Sequence, residues 1–253
     1  MDYNYLPNTK IKVSKICLGT MTWGRQNNQD EAFDQMNYSI DRGVNFFDTA
    51  ELYPVPASPD KYAITEEIIG NWFHKSKKRD KVILATKIAG PGDYTAHIRK
   101  SGFKGSSIED AVNGSLKRLK TDYIDLYQLH WPERITNTFG NRNFQYFNDS
   151  WEDNFEIILE KFKSLIDFGK IRYIGLSNEN PWGIMKFLEY SKRDLNYNEF
   201  LNFNIANVIR DKANQDLPQK MSLNKSVSDW VGEITFNPSE KLSLQNKFSL
   251  DKD

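Results

Sequence analysis

The sequence predicts an α/β fold of the (β/α)8 TIM-barrel type, with an N-terminal β-hairpin and five to six of the eight strand–helix units legible. Three observations carry this. Short apolar runs alternate with amphipathic helical patterns from about residue 17 to residue 192. The first strand continues into CLGTMTWG, whose glycines do not fit the G-x-G-x-x-G of a doubly wound dinucleotide fold. Three strands in succession end on an ionisable side chain, the position that faces the active end of a barrel.

The elements follow in order. Two alternating runs around Pro7, Asn8 and Thr9 read as the hairpin. A helical pattern covers residues 30–42 and stops at Gly43, a suitable C-terminal cap. VNFF (44–47) is a strand and residues 65–74 a helix, followed by the strand KVILATK (81–87). Ser106 or Ser107, with Glu109 or Asp110 behind, opens a helix that carries Val112, Leu116 and Leu119 on one face. DYIDLYQLH (122–130) is a strand, residues 151–168 a long amphipathic helix ended by Gly169, and IRYIGLS (171–177) a further strand. Pro181 stands where a first helical turn begins. Between them lies WPERITNTFGNRNFQYFNDS (131–150), long enough to suggest function and aromatic enough to suggest order.

Composition narrows the class without naming it. With 34 basic and 34 acidic residues the formal charge is zero, so no electrostatic nucleic-acid footprint is expected. No apolar run reaches the length of a membrane span, and the N-terminus shows no apolar signal core. The single cysteine, Cys17, rules out an internal disulfide framework and reads as core within its strand. The expected location is the cytoplasm. His74 and His97 read as surface residues.

The strand ends hold the chemistry: Asp48, Lys87 and His130, with Tyr53 in the loop just past the first. Taken alone, Asp48 reads as a helix N-cap, Lys87 as a solvated loop residue and His130 as structural. Three equivalent positions in successive strands argue for a site. A free tyrosine is a poor acid at neutral pH. An ammonium beside it is expected to lower its pKa, with a carboxylate holding the lysine and a neutral imidazole bonding a substrate oxygen. Such a set suits protonation of an alkoxide as hydride attacks a carbonyl. One His and one Asp are too few ligands for metal-assisted hydrolysis, and no metal is expected.

With LGTMTWG (18–24), FFDTAELYP (46–54), LKRLKTDYIDLYQLHWP (116–132) and GKIRYIGLSNE (169–179), the chain resembles the aldo/keto reductases, most closely the Tas-type branch. The resemblance covers residues 1–192. It implies a barrel-shaped oxidoreductase that reduces aldehydes or ketones to alcohols with NADP(H), NAD(H) staying open. It implies Tyr53 as general acid, Asp48 and Lys87 as its tuning pair and His130 as orienter of the carbonyl. Gly19, Thr20 and Met21 match the loop under the cofactor, Gln26 a residue on its phosphate side, and Ser177 and Asn178 the pair on the nicotinamide carboxamide, with Asp48 also beside the cofactor. Trp131 and its loop either line the substrate pocket or merely cover the barrel mouth.

After Tyr190 the resemblance fades. The family's later strands and its adenosine-phosphate clamp find no counterpart in residues 193–253, which read as a divergent segment, altered or truncated relative to the family. Residues 200–205 fit a sixth strand and 206–214 a short helix. The alternative function is therefore a catalytically degenerate chain with a binding or regulatory role. The physiological substrate and the oligomeric state stay open.

Overall fold

The computed structural model of the chain describes residues 1–193, leaving out 8, 141 and 146–150. The expected sixth strand, the helix at 206–214 and the rest of the 193–253 segment lie outside these residues, as does part of the 131–150 loop.

The hairpin is present. Strand β1 (Tyr3–Tyr5) pairs antiparallel with β2 (Lys12–Ser14). The Tyr3 hydroxyl donates to the Gly43 carbonyl at 2.7 Å, pinning the hairpin beneath the first helix. Five parallel strands follow: β3 (Cys17–Gly19), β4 (Phe46–Asp48), β5 (Ile83–Ile88), β6 (Ile124–Leu129) and β7 (Ile171–Leu176). Among the described residues they stand side by side in chain order, with no reversal. A doubly wound sheet reverses its strand order at a switch point; a barrel does not. The absence of G-x-G-x-x-G and the strand order thus agree.

Helices α1 (Gln29–Asp41), α2 (Ile64–Ser76), α3 (Ser107–Leu119), α4 (Phe155–Asp167) and α5 (Pro181–Arg193) alternate with the strands and pack each against the next. Asn28 begins α1 with a reciprocal capping box to Glu31, and Gly43 ends it at φ +80° with its N–H on the Ile40 carbonyl. Side chains alternate across each strand. One set turns to the helices, with Phe47 against Trp72 at 6.0 Å and Tyr127 against Phe162 at 6.2 Å between ring centroids. Phe47, Leu84, Ile88 and Tyr127 are fully buried there. The register places the opposite set together on the concave face, with Asp48 beside Ala85, Lys87 beside Gln128 and Gln128 beside Gly175.

Two expectations need correction. Helix α4 begins at Phe155, four residues later than its hydrophobic pattern suggested. The Asp153 carboxylate accepts the Phe155 N–H at 3.2 Å, while the Trp151 ring packs on Phe155 at 5.5 Å as an anchor outside the helix. Cys17 lies in β3 but is exposed. Its register partner Phe46 shares the face of Asp48, so the thiol points to the concave side of the sheet and away from the helical core, on a strand that is at the sheet's edge among the described residues.

Candidate active site

Asp48 is the last residue of β4, and it caps no helix, since α2 begins only at Ile64. Its Oδ2 lies 2.6 Å from Lys87 Nζ, and Gln128 Nε2 approaches Oδ1 at 3.4 Å. The Asp48 carbonyl accepts Thr20 Oγ1 at 2.9 Å, which ties the loop after β3 to the same point. Lys87 is buried, and its Nζ also donates to the Thr49 carbonyl at 2.8 Å. Strand β5 runs one residue past Lys87, because Ile88 still pairs with Leu129. His130 stands one residue beyond β6, held by its N–H on the Ile88 carbonyl at 3.1 Å.

Tyr53 meets these groups from the β4–α2 loop. Its ring is edge-on to His130 at 5.6 Å, and Lys87 Nζ sits 5.3 Å from its centroid. Trp131 flanks His130 at 5.0 Å and anchors its indole N–H on the Pro91 carbonyl at 3.0 Å. Tyr53 and Trp131 belong to one buried cluster with Ala50, Leu52 and Ala89.

The electrostatics depart from the expectation for Tyr53. Burial, then the Asp48 carboxylate, push its phenol up to about 12. The lysine does not offset this, because its ammonium faces the ring and is committed to Asp48 and Thr49. Tyr53 is therefore a neutral donor across the physiological range, without being tuned toward neutrality. Burial, then the Lys87 charge, press His130 down to about 3, which keeps the imidazole neutral as expected. Its Nδ1 is buried with no hydrogen-bond partner among the described residues.

The residues expected around a cofactor divide into three groups. Gly19 pairs with Asp48, and a Cβ placed on it would meet no atom within 4 Å, so the space beside the carboxylate is open. Met21 is exposed, its carbonyl accepting the Val55 N–H at 3.0 Å. Ser177 and Asn178 follow β7 directly: the Ser177 N–H bonds the Leu129 carbonyl at 2.9 Å, and Asn178 Nδ2 bonds the His130 carbonyl at 2.9 Å from a left-handed backbone. Gln26 stands apart, exposed on the loop before α1. The open space at Gly19 and the amide and hydroxyl of Asn178 and Ser177 fit a nicotinamide end. A basic cradle for an adenosine phosphate is not found among the described residues. Nor, among them, does any group of three His, Cys, Asp or Glu stand where it could hold a metal.

Several supporting residues went unread in the sequence. Glu51, almost fully buried, accepts both Arg99 nitrogens, the Tyr62 hydroxyl and the Ala89 N–H, and so holds the Tyr53 loop to the end of β5. At the opposite end of the strands, Asp125 is fully buried between Arg79 and Arg172 and accepts the Leu84 N–H at 3.0 Å. Gln128 gave no sign beyond its place two residues before His130.

Comparison with known proteins gives the family. The model of the Aldo/keto reductase family matches residues 15–224. Protein tas of Escherichia coli (strain K12) is 41% identical over 203 residues, covering 77% of this chain and 57% of that protein. The uncharacterized oxidoreductase YrpG of Bacillus subtilis (strain 168) is 38% identical over 191 residues, covering 74% of this chain and 52% of that one. The crystal structure of the thermostable aldo-keto reductase Tm1743 with the inhibitor epalrestat superposes with a TM-score of 0.54 at 26% identity, over 75% of this chain and 58% of that one. The chain thus spans a little over half the length of these relatives. Matched over most of its length and carrying the four residues at one mouth of a parallel sheet, the chain belongs to the aldo/keto reductase family, in its Tas-type branch.

Proposed function

We propose that the chain reduces a small aldehyde or ketone to the alcohol with NADP(H), with NAD(H) as the alternative cofactor. The observation that supports this most is the meeting of Tyr53, Lys87, Asp48 and His130 at the concave mouth of the sheet. When bound, the nicotinamide supplies the hydride. Tyr53 supplies the proton: its phenol is neutral and gives up its hydrogen to the alkoxide that forms. His130, held neutral, offers a hydrogen bond to the same oxygen and so orients the carbonyl. Lys87 with Asp48 keeps a fixed dipole against the tyrosine ring. Ser177 and Asn178 would hold the carboxamide, Gly19, Thr20 and Met21 would border the cofactor, Gln26 would serve its phosphate side from the loop before α1 and Trp131 would line the carbonyl pocket.

The same reading puts the protein in the cytoplasm with a small-molecule partner and with neither nucleic acid nor a membrane. Among the described residues no helix is long and apolar enough to cross a membrane. A barrel portion at residues 1–192 and a divergent segment at 193–253 are part of it too, and the family match running on to residue 224 weighs against a sharp boundary. The second reading, a catalytically degenerate chain with a binding or regulatory role, rests on residues 193–253, whose sequence offers no counterpart of the family's adenosine-phosphate clamp.

The deciding experiment is a fluorescence titration of the purified full chain with NADPH, followed by NADPH oxidation with an aldehyde. Saturation at micromolar concentration, about 8 kcal/mol of binding, with aldehyde-dependent oxidation supports the reductase. Binding without oxidation, or no binding by a folded chain, removes the reductase reading and supports the second, in which the four residues are a relic and the chain acts through a partner.

A further inference from the structure

Beyond the ends of β6 and β7 the two loops are fastened to each other side chain by side chain. Arg134, in the loop after His130 and Trp131, donates Nη1 to Glu179 Oε2 at 3.0 Å and Nη2 to Glu179 Oε1, and Nη2 also to Asn180 Oδ1 at 3.2 Å. Asn180 Nδ2 returns to Thr136 Oγ1 at 2.8 Å. The Arg134 and Glu179 side chains are only 10% and 4% exposed. The guanidinium lies over the Trp182 ring at 4.9 Å and near Phe155 at 5.7 Å. Asn180 Oδ1 also accepts the Gly183 N–H at 2.9 Å, which ties the fastening to the first turn of α5.

A buried ion pair adds little net stability, because desolvation offsets most of its Coulomb gain. What a two-pronged arginine–carboxylate contact does provide is direction: it sets both partners in one relative orientation. Glu179 follows directly on Ser177 and Asn178, while Arg134 lies three residues after Trp131. The pair therefore joins the segment that flanks the imidazole to the segment that carries the amide and hydroxyl.

We propose that Arg134 and Glu179 are a positioning pair that holds the His130–Trp131 loop in fixed relation to Ser177 and Asn178, so that the carbonyl side and the nicotinamide side of the site are set together. The two sides take their meaning from the reductase reading; the holding of one loop by the other does not depend on it. Neither residue is catalytic.

The test uses the full chain with Arg134→Met, Glu179→Met and the double variant, and Arg134→Lys in case a Met variant fails to fold. In ligand-free hydrogen exchange, amides at 131–139 are expected to exchange about tenfold faster in each single variant, with β5 and β6 unchanged. The double variant is expected to be no faster than the faster single one, since both remove the same contact. Arg134→Lys, which keeps the charge and loses the fork, falls between. Unchanged exchange at 131–139 overturns the proposal whether or not cofactor binds. In the active protein, the aldehyde KM and the NADPH Kd are each expected to rise about tenfold while kcat stays within about threefold. A pair that only held the fold together would lower the active fraction and hence kcat, with KM and Kd unchanged, and that result also overturns it. If the wild type neither binds nor oxidises NADPH, the reductase reading fails and the exchange measurement alone decides the pair.

Discussion

Lys87 Nζ lies 2.6 Å from Asp48 Oδ2, with the lysine side chain 7% exposed and the aspartate 31%. The asymmetry has an energetic consequence. Asp48→Asn strips the counter-charge from a lysine that is nearly buried and should cost about 3 kcal/mol. Lys87→Met leaves a carboxylate that still reaches solvent and Gln128, and should cost about 1 kcal/mol. Urea melts at pH 7 give both values. The reverse order would mean that the aspartate, and not the lysine, is the dependent partner.

Tyr53→Phe removes one hydroxyl and keeps the ring against His130. Carbonyl reduction should fall about 10²- to 10⁴-fold, with NADPH affinity within about twofold of wild type. With its pKa near 12, the tyrosine stays protonated through the whole working range. The rate should therefore show no loss from tyrosine ionisation between pH 6 and pH 9, as steady-state assays across that range would reveal. A mutant with full turnover would remove Tyr53 from the mechanism.

His130 makes stability pH-dependent in a stated direction. Its folded pKa of about 3 lies well below the ordinary 6.5. Between those values the unfolded chain binds a proton that the folded chain refuses, so this stability is complete above pH 6.5 and declines on acidification toward pH 3. At pH 5 the loss is about 2 kcal/mol. His130→Gln should lose about 2 kcal/mol less than wild type between pH 7.5 and pH 5. Denaturant midpoints at the two pH values measure this, and parallel losses in the two proteins would contradict it.

Gly70, inside α2, is required by close approach. A Cβ there would lie 2.0 Å from the Arg118 carbonyl and 2.9 Å from Leu119 Cα, both backbone atoms that cannot swing aside. Helix propensity alone favours Ala by about 1 kcal/mol, and the forced separation of α2 from α3, a backbone clash at the upper end of about 1–3 kcal/mol, outweighs it. Gly70→Ala should lower the melting temperature. Gly114→Ala, whose Cβ would meet the side-chain Nη1 of Arg118 at 2.9 Å, should be milder, because the end of a side chain can move. Thermal unfolding of the two variants side by side decides the order.

Much of this was legible locally. The strand–helix alternation, the hairpin, Gly43 as a stop and Pro181 as a start all follow from signals within a few residues, and the structure carries each of them. Asp48, Lys87 and His130 were legible because a strand end is a place that sequence can mark. The start of α4 was not, since hydrophobic spacing continues through Trp151 although the cap that begins the helix lies at 153–154.

The sequence by itself determined the order of the elements, the parallel strands and the residue types at their active ends, because periodicity and turn chemistry act over short stretches of chain. Tertiary structure alone decided which charges meet. Glu51 and Arg99, Asp125 and Arg79, and Arg134 and Glu179 are 45 to 48 residues apart, with no spacing rule to join them. It also decided the direction of the Tyr53 shift and the exposure of Cys17. Both depend on what surrounds an atom in three dimensions. Desolvation and Coulomb energy act through space, and a sequence records only neighbours along the chain.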